Sequence, residues 1–142
     1  MGLRRKSREL ALQFLFSHDF QERASVPVPD VLMQEWELFC QSFEAGPRTV
    51  PYGRTLVEGI WRHLDAIDTL LAGHSHNWRV ERMSAVDRNI LRIAVFELRY
   101  SGDVPAQVAI NEALEIAKRY SIDDSVAFIN GVLDAIQTMG PH

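Results

Sequence analysis

Four cations, Arg4, Arg5, Lys6 and Arg8, stand together near the start of the chain. Guanidinium and ammonium groups at this density dock phosphates and release counterions, which gives affinity without sequence choice. Placed near a helix start, they also oppose the helix macrodipole, and that unfavourable placement fits a ligand purpose. On the residues alone, a solvated helix start explains the cluster about as well. At ~100° per residue Phe16 falls on the side of Arg5, where an aromatic face could stack an unpaired base. Leu12 and Leu15 widen the apolar face there, so ordinary core is an equal alternative. Asp124 and Phe128 share one helix face at i, i+4, off the stripe of Val126, Ile129 and Leu133. Capping by Asp124 and peripheral packing by Phe128 account for them without a ligand. His63, His74 and His76, with Asp65 and Asp68, are metal-capable types. Their H-S-H spacing is not a ligand pattern, and exposed loop histidines are the simpler reading. The sequence has no glycine-rich phosphate loop, GxSxG or zinc motif, so neither a cofactor nor a catalytic residue is expected.

Helices must position these groups. Leu3, Leu10, Ala11 and Phe14 predict a first helix over about Arg4 to Phe20. Leu32, Trp36 and Phe39 predict a second over Val31 to Phe43, ended by Ala45-Gly46-Pro47. The stripe Leu56, Ile60, Leu64, Ile67 and Leu71 predicts one helix from about Tyr52 to Ala72, with Gly73 as its C-cap. Ser84 reads as an N-cap with Asp87 as capping-box partner, opening a helix through Tyr100 that Gly102 stops. That helix is apolar on most sides, so it is central to a core or shared between a core and a partner. Pro105 starts the next helix, to Tyr120, and Asp123 caps the last. Strand alternation and internal repeats are absent. The fold class is all-α: a single-domain bundle over residues 1–142 with about six or seven helices and mostly antiparallel neighbours.

The totals agree. The 142 residues suffice for one hydrophobic core, with 46% hydrophobic and 24% charged residues. Cys40 is the sole cysteine, so an internal disulfide is impossible; a reducing, cytoplasmic setting and a small core residue are the expectations. No apolar run approaches the ~20 residues that span a bilayer. The net charge of −4 disfavours nucleic acid on average, but the four cations precede the first acid, Glu9, and leave −8 on the rest. Salt screens charges beyond ~8–10 Å, so the local footprint decides docking.

The strings RRKSRELALQFLF, VDRNILRIAVFEL, VPAQVAINEALEIAKRY and DDSVAFINGVLD closely resemble the NusB transcription antitermination family. The match covers the first helix and about Ser84 to Asp134; Asp30 to Arg79 matches in helical character only. The resemblance implies a non-enzymatic factor that binds single-stranded boxA leader RNA with a small-subunit ribosomal protein, NusE. Together they would act with RNA polymerase and other Nus factors in ribosomal RNA transcription. It implies RNA contacts at Arg4, Arg5, Lys6, Arg8, Phe16, Asp124 and Phe128. It implies partner contacts at Glu81, Asp87, Leu91, Leu98, Val104 and Ala106, where acids rimming apolar residues suit a basic partner. A protein-only interaction module, or a homodimer through the broad apolar helix after Ser84, is the alternative.

Overall fold

A computed structural model describes residues 2–20, 26–75 and 83–139. Among these, seven α-helices and one π-helical turn occur and no strand does: α1 (Leu3–His18), α2 (Pro29–Ser42), α3 (Val50–Arg62), α4 (Leu64–His74), α5 (Ala85–Phe96), the π turn (Glu97–Ser101), α6 (Ala106–Tyr120) and α7 (Asp123–Thr138). The all-α class expected from the periodicity is the architecture observed. No described helix is long and apolar enough to cross a membrane.

α5 is the axle. It packs against α1, α3, α4, α6 and α7, and every residue from Asp87 to Glu97 is buried. The apolar girdle read from the sequence is therefore core. Ser84 caps α5 by accepting the Asp87 amide at 3.1 Å, and Gly102 ends the π turn in the left-handed region at φ 80°, where a Cβ would be strained. Three charged residues inside this apolar girdle are paired, as burial requires. Arg88 reaches Asp19 at the end of α1 at 2.8 Å. Arg92 holds Asp68 of α4 through two nitrogens at 2.9 and 2.8 Å, and donates to the Phe20 carbonyl at 2.7 Å. Glu97 pairs with Arg8 of α1.

Three boundaries differ from expectation. The helix expected over 52–72 is two, broken at His63 (φ −111°, ψ 19°). The apolar stripe survives the break because backbone bonds flank it, from the His63 amide to the Gly59 carbonyl at 3.0 Å and from the Ile67 amide to the His63 carbonyl at 2.9 Å. Periodicity therefore could not reveal it. The His63 ring lies flat on Tyr100, centroids 3.9 Å apart. α4 runs past Gly73, so that glycine is not the C-cap. Asp123 is the first residue of α7; Ile122 holds the cap position and supplies no side-chain cap.

At Gly59 α3 passes directly over the Phe96 ring, and a methyl there would overlap ring carbons. Gly59→Ala gains about 1 kcal/mol of helix propensity but overpacks a buried contact at about 1–3 kcal/mol. The expected net result is a lower urea midpoint at unchanged slope. A raised midpoint would show that the ring yields and that the close approach is not a constraint.

Candidate nucleic-acid interface

α1 delivers its cations to three different environments. Arg8 points inward, with 4% of its side chain exposed. Its Nε donates to both Glu97 oxygens, at 3.0 and 2.9 Å, and its Nη1 to Glu112 Oε1 at 3.2 Å. Glu97 also accepts a short hydrogen bond from the Tyr52 hydroxyl. Burial, then the Glu97 carboxylate, pushes the Tyr52 phenol well above its usual range. Arg8 was expected among the phosphate contacts. That expectation is corrected: a guanidinium sealed in this network has no face left for a phosphate.

Arg5 is half-buried and donates through Nε and Nη2 to the two Glu112 oxygens at 2.8 and 2.6 Å. This pairing holds the Glu112 carboxyl below the usual carboxylate range. Arg4 is exposed. It meets Asp103 at 3.2 Å and covers the Tyr52 ring at 4.1 Å, within cation–π range. The Ser101 hydroxyl, then Arg4, lower the Asp103 pKa. Lys6 is exposed. Each of the three arginines is thus matched to an acid on the π turn, on α6 or on the link between them. No sequence signal named Asp103, Glu97 or Glu112 as their partners.

Phe16 stands out from α1 with 52% of its surface exposed, while Phe14 is fully buried. The ambiguity between the two is resolved by geometry: Phe14 packs edge-on against Trp36 and Phe39, and Phe16 is available to solvent. At the start of α7, Asp124 and Phe128 line a cavity of about 210 Å³ together with Met83, Asp87, Ile122 and Ser125. Asp124 is exposed, Phe128 is half-buried against the core, and Ile122 presents two-thirds of its surface to solvent. An aromatic edge, an apolar floor and a carboxylate acceptor are the groups that seat an unstacked base.

The expected partner surface is reduced. Leu91 is wholly buried and belongs to the core, because α5 is enclosed on every side. Asp87 is 8% exposed, and its two oxygens accept from Ser121 Oγ and Ser125 Oγ, each at 2.6 Å. It ties the start of α5 to the α6–α7 connection and is not a free acidic rim. Leu98, Val104 and Ala106 remain half-buried about the α5–α6 junction. Glu81 and His76 lie outside the described residues. Among the described residues no cluster of His, Cys, Asp and Glu is arranged to hold a metal ion.

Removing Arg8 leaves Glu97 buried without its guanidinium, a loss of about 3–5 kcal/mol. Arg8→Ala is therefore expected to lower the denaturation midpoint sharply, and Arg4→Ala to leave it almost unchanged. Equal stabilities for the two variants would contradict the division of the cluster into structural and exposed members.

A sequence model of the NusB family matches residues 5–138. Similar relatives include the transcription antitermination protein NusB of Desulfotalea psychrophila, 46% identical over 139 residues and 98% of each chain. That of Myxococcus xanthus is 45% identical over 136 residues, covering 96% of this chain and 95% of the relative. Among solved structures, T. maritima NusB superposes with a TM-score of 0.80 at 36% identity, over 95% of this chain and 90% of that one. A complex of the antitermination factors NusB and NusE with double-stranded RNA contains a chain of the same fold, with a TM-score of 0.80 at 23% identity over 97% and 98%. Matched from the first helix to the last, by sequence and by fold, this chain belongs to the NusB family.

Proposed function

We propose that this protein is a transcription antitermination factor that binds boxA-type single-stranded leader RNA together with the ribosomal protein NusE. It would act in the cytoplasm with RNA polymerase and other Nus factors, as a binding protein and not as an enzyme. The observation that carries this reading is family membership over nearly the whole chain, with relatives named for antitermination at 45–46% identity. The fold neighbour solved with NusE and RNA supports the choice of ligands by analogy.

RNA approaches from the side of the α1 cations. Arg4, Arg5 and Lys6 take phosphates; Phe16 stacks a base; and Asp124 with Phe128 receives another at the start of α7. Arg8 contributes only by fixing α1 in place. NusE docks at Leu98, Val104 and Ala106; Glu81, outside the described residues, is the remaining candidate contact. Asp103 links the two sites, since it precedes Val104 in sequence and holds Arg4. A basic partner that draws Asp103 away frees Arg4 for phosphate. RNA and NusE therefore bind with positive coupling.

Anisotropy titration of boxA RNA against a scrambled control, with and without NusE, tests the reading. Preferential, salt-sensitive binding that tightens with NusE is expected. Arg4→Ala lowers the log–log salt slope by roughly 0.7, one phosphate contact on a single strand. Asp103→Asn releases Arg4 without the partner. It is expected to tighten RNA binding by the protein alone about two- to three-fold, the scale of an exposed ion pair, and to shrink the gain from NusE. In an Arg4→Ala background the same change should do nothing. Absence of RNA binding under both conditions, by folded protein, would reject the proposal in favour of a protein-only module.

A further inference from the structure

On the flank of α1 about a quarter-turn from Arg5 and Phe16, a groove of about 480 Å³ runs between that helix and the α2–α3 connection. Lys6 and Gln13 line it from α1, and Phe43, Glu44 and Arg48 from the connection. Phe43 is one of the most exposed large apolar side chains of the described residues, at 60%. Its ring is backed by Phe39, with centroids 4.4 Å apart, so it offers a free face on a fixed support. Neither Lys6 nor Arg48 has an ion-pair partner among the described residues. Glu9 also borders the groove, but its carboxylate is engaged by Arg119 at 3.1 Å. Glu44 is the remaining acid.

The connection is built rather than loose. The Ala45 amide donates to the Cys40 carbonyl at 3.0 Å. The Thr49 amide and hydroxyl both donate to the Gly46 carbonyl, at 2.9 and 2.7 Å. Glu44 is held at φ 48°, in the left-handed range that a residue with a side chain rarely adopts, a conformation that costs energy and persists only where the surroundings enforce it. The groove is thereby pre-formed, with two unpaired cations about an exposed aromatic ring.

Two cations flanking a supported ring are the parts of a single-stranded nucleic-acid platform: phosphates on the cations, a base on the ring. Lys6 belongs to the α1 cluster, so this groove continues the surface assigned above to RNA. We propose that it is a second RNA subsite, taking nucleotides that flank the boxA element as the strand passes over α1. Phe43 stacks a flanking base, and Lys6 and Arg48 hold the phosphates beside it. The inference rests on the RNA-binding reading and adds to it a binding site outside the core element.

The test compares three RNAs: the bare boxA element, and the same element extended by leader nucleotides at one end or at the other. The double variant Phe43→Ala/Arg48→Gln alters only exposed groups outside the α1 cluster. The wild type is expected to bind one extended RNA more tightly than the bare element. The variant loses that advantage, about five- to a hundred-fold from one stacked base and one phosphate, and keeps its affinity for the bare element. Glu44→Gln removes the acid of the groove and should increase the advantage, an opposite sign that damage to the fold cannot produce. Equal wild-type affinity for all three RNAs, an advantage that survives in the variant, or a variant defect confined to NusE binding would overturn the subsite and leave the RNA reading intact. Failure of the wild type to bind any of the three would reject both the subsite and the RNA reading.

Discussion

Where α1 crosses the end of α5, a guanidinium and a carboxylate almost without access to water face each other, Arg8 and Glu97. Removing two charges from water costs several kcal/mol per ion, and their attraction offsets that cost only when geometry and remaining hydrogen bonds are complete. Here they are. Glu97 takes Arg8 on both oxygens and Tyr52 on one, and Arg8 reaches on to Glu112. Such a pair tolerates no slippage of α1 by a residue or rotation of its face, because either would strand a buried charge. The constraint thus sets register more than stability. It decides that Arg4, Arg5, Lys6 and Phe16 emerge where they do.

The same logic recurs along α5. A helix enclosed on all sides can carry charge only if every charge is answered, and Arg88 and Arg92 are answered by Asp19 and Asp68. Their carboxylates come from the end of α1 and from α4, so one face of α5 is fastened to both by directional bonds within an otherwise non-directional apolar core. The π turn at its end widens the last turn where Glu97 meets α1 and α3, and π turns concentrate at functional positions. Groups that would face ligands are arranged around this fixed axle: the α1 cations on one side, the α7 cavity on another, and the α5–α6 junction beyond.

Much of the fold could be read from the chain. Apolar spacing located the helices, Ser84 and Gly102 marked the limits of the α5 region, and the apolar girdle left two choices, a central helix or one shared with a partner, of which the structure has the first. The break at His63 was hidden, since backbone bonds on both sides carry the stripe through it. At the site, residue types gave the basic cluster but not its division. Arg4, Arg5 and Arg8 look alike in sequence; only long-range partners at Asp103, Glu112 and Glu97 separate the exposed from the buried. Leu91 and Asp87 were misplaced for a related reason, because a helix apolar on most sides does not disclose which side is covered. A usable signal was present nonetheless: Glu97, Arg88 and Arg92 sit among apolar residues, and charges in that setting must find partners.

In the proposed function, RNA and NusE take two separate surfaces joined through α1 and the α5–α6 junction. Backbone amide chemical-shift mapping with boxA RNA alone, then with NusE alone, addresses that claim directly. RNA is expected to shift amides along the exposed face of α1 and at Asp124 to Phe128. NusE should shift those from Leu98 to Ala106, with a smaller echo at Arg4. Both ligands perturbing one common surface, or RNA leaving α1 and the start of α7 undisturbed, would contradict it.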